Sequence, residues 1–162
     1  MKTQKTKKAF TMIELVFTIV IIGILAAVAI PRLAATRDDA ELTKARTVIA
    51  SIRNALAMER QKRILRGDFT TIDSIGDTVN VFSQFSADNK GNSVDVLEYA
   101  MASEDKKGKW LFSSATGKSG RDQYIFKSTF GEVKFEVVSG KFECDATKTN
   151  NTNVHGCTLL TN

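Results

Sequence analysis

The chain is poor in the residues from which most active sites are built. It has one histidine, His155, one proline, Pro31, one tryptophan, Trp110, and two cysteines, Cys144 and Cys157. A single histidine excludes zinc sites built on histidine pairs and leaves little basis for acid–base catalysis near neutral pH. Gly117-Lys118-Ser119 has the tail of a phosphate-binding loop, but Phe112 stands where its first glycine is needed and no helix pattern follows, so the stretch reads as a turn. Asp88-Asn89-Lys90-Gly91-Asn92 is rich in oxygen ligands, yet Lys90 falls where a calcium loop needs one, so a surface turn is expected and no metal or cofactor is implied. The excess of basic residues is also less than it first looks. The formal charge is +5, but Lys2, Lys5, Lys7 and Lys8 supply four of the 23 basic residues, and the chain from Phe10 onward has 19 basic against 18 acidic, a net of +1. Nothing points to an enzyme, and net charge gives little support for nucleic-acid binding.

Charge is scarcest between Phe10 and Pro31, where Glu14 is the sole ionisable side chain. From Leu15 to Ile30 the run is unbroken, enough helix to cover most of a hydrocarbon layer about 30 Å thick. Two ordinary explanations compete. A basic start followed by an apolar run describes a secretory signal peptide, and Ala27-Val28-Ala29 offers a small-residue cleavage site. The run exceeds the 7–15 residues of such a signal, however, and a glutamate sits inside it. A plain membrane anchor explains the length but not the carboxylate, which costs up to ~2.5–3.5 kcal/mol at the bilayer centre and less near its edge. Glu14 needs a partner.

The segment Lys7-Lys8-Ala9-Phe10-Thr11-Met12-Ile13-Glu14-Leu15 resembles the leader junction of type IV pilins and type II secretion pseudopilins. The resemblance implies a short basic leader, cut by prepilin peptidase between Ala9 and Phe10, N-methylation of Phe10, and an assembly role for Glu14, the fifth residue counting from Phe10. Ala9 departs from the glycine usual before the cut, although a small residue is kept. Gly23 and Pro31 are the expected weak points of the helix: glycine adds backbone freedom, while proline lacks an amide proton and its ring crowds the carbonyl of Ala27. Cleavage would place a new amine in a low-dielectric setting where Glu14 is the nearby carboxylate, and opposite charges attract far more strongly there than in water. If the amine belongs to a neighbouring subunit, a lone subunit carries an unrelieved carboxylate and docking relieves it, which sets register.

Beyond Pro31 the pattern turns amphipathic. Leu42, Ala45, Ile49, Ile52 and Leu56 recur at three- and four-residue steps, one face of a helix that ends at Gly67-Asp68. Arg60, Lys62, Arg63 and Arg66 crowd the last turns and read as a solvated cluster matched to the helix dipole. Residues 32–66 carry nine basic and four acidic side chains, a net of +5, whereas residues 67–162 carry ten and thirteen, a net of −3. This asymmetry would suit packing of one subunit's helix against another's head. Residues 93–103 are expected to form a short helix. From Lys109 the chain reads as antiparallel sheet: Trp110–Phe112, Gln123–Ser128, then Val133–Val137 with alternating apolar and charged residues, turned at Ser139-Gly140 into Lys141–Cys144. The Leu42–Leu56 stripe is the natural cover for the sheet. Cys144 and Cys157 lie on the side placed outside the cytoplasm by the leader lysines, so a disulfide is expected, worth ~3 kcal/mol in the chain-entropy model. The polar residues between them read as an exposed loop, which the resemblance equates with the disulfide-bounded C-terminal region of many type IV pilins. Major pseudopilins more often lack such a bridge and carry an Asp-Pro-Trp-Gly motif with calcium ligands; that motif is absent here, since Pro31 is the one proline, which tilts the resemblance toward a pilin or minor pilin.

The expected fold is α+β and pilin-like, a long N-terminal helix packed on a small antiparallel sheet. Its parts are a basic leader at 1–9, a transmembrane and assembly helix at 10–31, an amphipathic continuation at 32–66 and a head at 67–162. The leading function is a structural prepilin or pseudopilin, stored in the bacterial inner membrane as a single-pass precursor with its head outside the cytoplasm. It would then be polymerised by an inner-membrane assembly platform into a type IV pilus or a periplasmic pseudopilus. The implied partners are copies of itself, related pilins, the membrane, the peptidase and the platform. One alternative is a minor pilin that holds DNA or another ligand, with Lys106, Lys107, Lys109 and Trp110 as the candidate patch. Another is an unrelated secreted or anchored domain.

Overall fold

The structure, a computed structural model, describes residues 10–114, 120–145 and 151–161. The described elements are α1 (Met12–Leu65), β1 (Asn80–Val81), β2 (Met101–Ala102), β3 (Trp110–Ser113), β4 (Gln123–Ser128), β5 (Gly131–Val138), β6 (Lys141–Cys144) and α2 (Asn151–Thr161). This is an α+β architecture in which a long N-terminal helix precedes small antiparallel sheets. The chain divides into two compact units, Met1–Arg37 and Asp38–Asn162.

In the first unit α1 is apolar on every side and nearly everything on it is exposed, with Ile13, Phe17, Ile22, Leu25 and Ile30 between 63% and 74% exposed. An 18-residue stretch of the helix reaches a mean hydropathy of 2.8 with none of it buried, long and apolar enough to cross a membrane by length and composition. The helix runs through Pro31 without interruption.

In the second unit the stripe expected from periodicity is the one that is covered. Ala45, Ile49, Ile52 and Leu56 are at most 2% exposed, and Leu42 packs at their margin. They face a four-stranded antiparallel sheet in the order β3-β4-β5-β6. Its strands coincide with the four read from sequence or extend them by a few residues. Ser139 and Gly140, at φ 50° and 74°, make the two-residue turn between Val138 and Lys141, the left-handed pair that a tight hairpin demands. Aromatic rings fill the interior. Phe82 lies 5.1 Å from Trp110, 5.4 Å from Tyr124 and 5.7 Å from Phe142, and Phe135 stacks on Phe142 at 5.0 Å. Such contacts add to the area the rings bury.

Residues 93–103 are not helical. Val96 N–H donates to Ser83 O at 2.9 Å, Asp95 forms an isolated bridge with Gln84, and Met101–Ala102 pair with Asn80–Val81 as a two-stranded sheet. Burial of Val96 and pairing with residues 80–84 outweigh the weak helix preference of the stretch. The segment before it, opaque in the sequence, supplies Ile72, Ile75, Val81, Phe82 and Phe85 to the core. Its turn at Asp88 forms as expected, with the carboxylate accepting from Lys90 N–H at 2.9 Å and Asn92 N–H at 2.8 Å.

The C-terminal stretch also differs from expectation. Instead of an exposed loop, residues 151–161 form α2, which packs on β5 and buries Gly156, Cys157 and Leu160. Gly156 permits the approach, since a Cβ there would stand 2.3 Å from Val133 Cγ2 and 2.9 Å from Phe130 Cε2. Arg46 Nε donates to Leu159 O at 2.7 Å and so satisfies one carbonyl near the end of α2.

Candidate functional site

The first five described residues hold the chemistry that the sequence singles out. Thr11 precedes the first helical residue and Glu14 is the third within the helix, the spacing of a capping box. Glu14 Oε2 accepts from Thr11 N–H at 2.9 Å and from Thr11 Oγ1 at 2.8 Å, while Glu14 N–H donates to Thr11 Oγ1 at 3.3 Å. The carboxylate also sits in the first turn, where the positive end of the helix dipole favours it. Glu14 is therefore not an orphan in the single chain, which corrects the expectation of an unrelieved carboxylate: a threonine three residues earlier already engages it. The signal for this, Thr-x-x-Glu ahead of an apolar run, is present in the sequence. Phe10 is 79% exposed beside it. Ala9, the other half of the expected junction, and the leader lie outside the described residues.

Gly23 and Pro31, the two weak points expected from sequence, both sit within α1. A Cβ added at Gly23 would meet nothing within 4 Å, so that glycine is not forced by packing. Cys144 and Cys157 form the expected disulfide, with Cα atoms 5.8 Å apart, and it ties the end of β6 to the middle of α2.

The basic cluster at the end of α1 is only partly solvated. Arg63 is 1% exposed, and its guanidinium donates to Glu59 Oε1 at 3.2 Å, to Ser86 O at 2.5 Å and to Thr70 Oγ1 at 3.5 Å. Glu59, itself 3% exposed, also receives Arg66 Nη2 at 3.3 Å. Glu59 and Arg63 occupy i and i+4 positions, and the bonds of Arg63 fix the segment after the helix to the helix itself. Asp68 completes the turn, its carboxyl held below the usual range by the Thr70 N–H, which donates at 2.9 Å.

The candidate DNA patch does not form a binding surface of the expected kind. Lys106 and Lys109 pair with Glu104 at 3.2 Å and 3.5 Å, and Lys107 pairs with Asp38 at 2.7 Å. Trp110 is 2% exposed, so its ring belongs to the core and offers no face to a base. Gly117-Lys118-Ser119 lies outside the described residues. Among the described residues no three His, Cys, Asp or Glu side chains are placed to hold a metal ion.

Comparison with known proteins agrees with the N-terminal geometry. The family described as "Prokaryotic N-terminal methylation motif" matches residues 4–30. The chain is also similar to the type II secretion system core protein G of Vibrio cholerae serotype O1, with 38% identity over 58 residues, 36% of this chain and 40% of that protein. The chain thus aligns with less than half the length of this relative. No solved structure matches it significantly. The motif and the relative together support assignment to the type IV pilin and pseudopilin family.

Proposed function

We propose that this chain is a structural prepilin or pseudopilin, cut between Ala9 and Phe10, N-methylated on Phe10 and assembled from the inner membrane into a filament. The observation that carries the reading is Glu14. It is the one ionisable side chain in an otherwise apolar, exposed helical run, and it lies within the matched methylation motif. In the filament the methylated amine of a neighbouring subunit pairs with Glu14, and the carboxylate exchanges or shares its Thr11 contacts for that partner. Because the exchange happens among apolar helices, the ion pair gains what water would otherwise screen. It also fixes the axial position of each subunit, as one buried polar residue fixes register in a coiled coil. The leader lysines hold the N-terminus in the cytoplasm and leave the disulfide-bonded head outside. Gly23 and Pro31 mark where the helix yields on packing. The domain limits expected from sequence, a leader at 1–9, a membrane and assembly helix at 10–31, its continuation at 32–66 and a head at 67–162, belong to the same reading.

Intact mass of the natively processed protein tests this directly. A chain that starts at Phe10 and carries one added methyl group is the expected result. A start at Ile30, after Ala27-Val28-Ala29, would make the segment an ordinary signal peptide and end the filament reading.

A further inference from the structure

The second unit carries two exposed patches of opposite sign. The first is an open groove of about 1020 Å³ between the second half of α1 and the β5–β6 turn. Leu56, Ala57 and Ile64 form its apolar floor, and Arg53, Arg60 and Lys141 stand over it with a single carboxylate, Glu143. Arg53 Nε donates to Phe142 O at 3.3 Å, on the free edge of the sheet. No described carboxylate forms an ion pair with Arg60 or Lys141, and both are exposed. The groove therefore combines apolar surface with a surplus of positive charge.

The second patch is residues 94–99. Asp95 and Glu98 are exposed there, and Tyr99 is 80% exposed beside Val94 at 42%. The stretch is held in place by backbone bonds of 2.9 Å from Phe85 N–H to Val94 O and from Val96 N–H to Ser83 O, and its end continues into β2. It presents two carboxylates and a large aromatic ring on a fixed backbone. None of its residues lines the groove.

We propose that the groove receives residues 94–99 of a second copy of this chain, with Arg60 and Lys141 facing Asp95 and Glu98 and Tyr99 seated on the apolar floor. The sign of each patch selects the other and disfavours groove-to-groove pairing, since like charges would then meet. A ring of this size in an apolar recess is the usual anchor of such a contact. The two patches are different parts of one surface, so the contact is heterologous and leaves each copy with a free groove or a free acidic segment. Such contacts propagate unless the rotation closes into a ring. The inference rests on the filament reading, and it names which surfaces of the heads meet.

Paired cysteines in the full chain, expressed where the unmodified chain assembles, test it. With Arg60→Cys and Glu98→Cys in the same chain, mild oxidation of filaments should give a ladder of covalent multimers. Either substitution alone should give none, and co-expressed single variants should give dimers only. Charge exchange is the second arm: Arg60→Glu should reduce filament yield several-fold, and Glu98→Arg in the same chain should restore it. Normal filaments that give no ladder, together with no rescue by the exchange, would overturn this interface and leave the filament reading standing. An unmodified chain that forms no filament in any host with the assembly machinery would overturn both.

Discussion

Residues 12–33 and 42–56 belong to one helix by hydrogen bonding, yet they meet opposite fates by burial. In the first stretch leucine, isoleucine and phenylalanine lie open on all sides, whereas in the second Ala45, Ile49, Ile52 and Leu56 are shut away to 2% or less. Helix propensity does not separate them. The distribution of polar residues does: a stripe on one side asks for a sheet, and an apolar surface all round asks for a solvent other than water. The two stretches of α1 also treat a carboxylate differently. Glu59, further along the amphipathic half, is buried under two guanidinium groups and holds the head together, while Glu14 is exposed and bonds to Thr11. Each accepts through a single oxygen, but Glu59 is closed off from any partner at 3% exposure while Glu14 stands open to one.

The largest expected effect comes from breaking the second of these. Glu14→Ala should leave the chain in the membrane fraction but abolish filaments, read by membrane fractionation and by recovery of sheared filaments. Glu14→Gln should do the same although glutamine still closes a capping box. Normal filaments from the glutamine variant would show that the charge has no part in assembly.

The burial contrast itself can be broken by paired truncations. Ile52→Ala should destabilise the head by ~2–5 kcal/mol, the usual cost of emptying a close-packed aliphatic site. Ile22→Ala, at a position 63% exposed, should leave the melting of the head unchanged. Trp110 is the chain's sole tryptophan and lies in the head core, so its fluorescence reports head unfolding in the full chain in detergent. Equal destabilisation by the two variants would mean that the apolar stretch is part of the head's core.

A third test sharpens what the head interior is like. Burial pushes the Tyr124 hydroxyl up to about 12, with Asp122 adding to the rise and bonds to Ser74 and Ile75 opposing it. Its ring is 0% exposed and its oxygen accepts the Ile75 N–H at 2.8 Å. The folded value lies above the ordinary 10.0, so the stabilisation is complete below pH 10 and is lost as pH rises through about 12. The loss should approach about 3 kcal/mol, because each pH unit between the unfolded and folded values is worth about 1.4 kcal/mol. Tyr124→Phe should lower stability at neutral pH through the unpaired Ile75 amide and should flatten the alkaline slope between pH 10 and 12. An unchanged slope would place the titration elsewhere.

Much of the fold is legible in the sequence and some is not, for physical reasons. The Leu42–Leu56 stripe and the four strands follow from periods near 3.6 and 2, because one face of each is buried and the other wet. The β5–β6 turn follows from Ser139-Gly140, where the backbone must turn left-handed. Hidden are the features decided by distant contacts. The stretch around Asn151–Thr161 has poor helix formers, and as α2 it is tied to β6 by the disulfide and lies close against β5 where Gly156 has no side chain. Arg63 looks like any exposed helix-end cation until Glu59 and the Ser86 carbonyl enclose it. Residues 93–103 lose a local preference to pairing with residues 80–84. At the candidate site the position of Glu14 is legible. Its engagement by Thr11 is written in the same few residues, but the apolar run around it draws attention to the membrane and away from the cap.

The smallest expected effect decides what Glu14 is for. Thr11→Ala removes the hydroxyl that accepts from Glu14 N–H and donates to its carboxylate, while the backbone amide at position 11 still reaches Oε2. Loss of an N-cap side chain costs ~1 kcal/mol of helix stability. If capping were the whole purpose of Glu14, Thr11→Ala and Glu14→Ala would damage the same structure and depress filament yield alike. If the carboxylate serves a neighbouring amine, Thr11→Ala releases it from a competing hydrogen bond, and filaments should form at near-normal yield with only a frayed first turn. Filament yields of Thr11→Ala, Glu14→Ala and Glu14→Gln compared side by side separate the two roles. Retention in the first and loss in the other two assign Glu14 to the contact between subunits, and parallel loss in Thr11→Ala and Glu14→Ala with retention in Glu14→Gln assigns it to the cap.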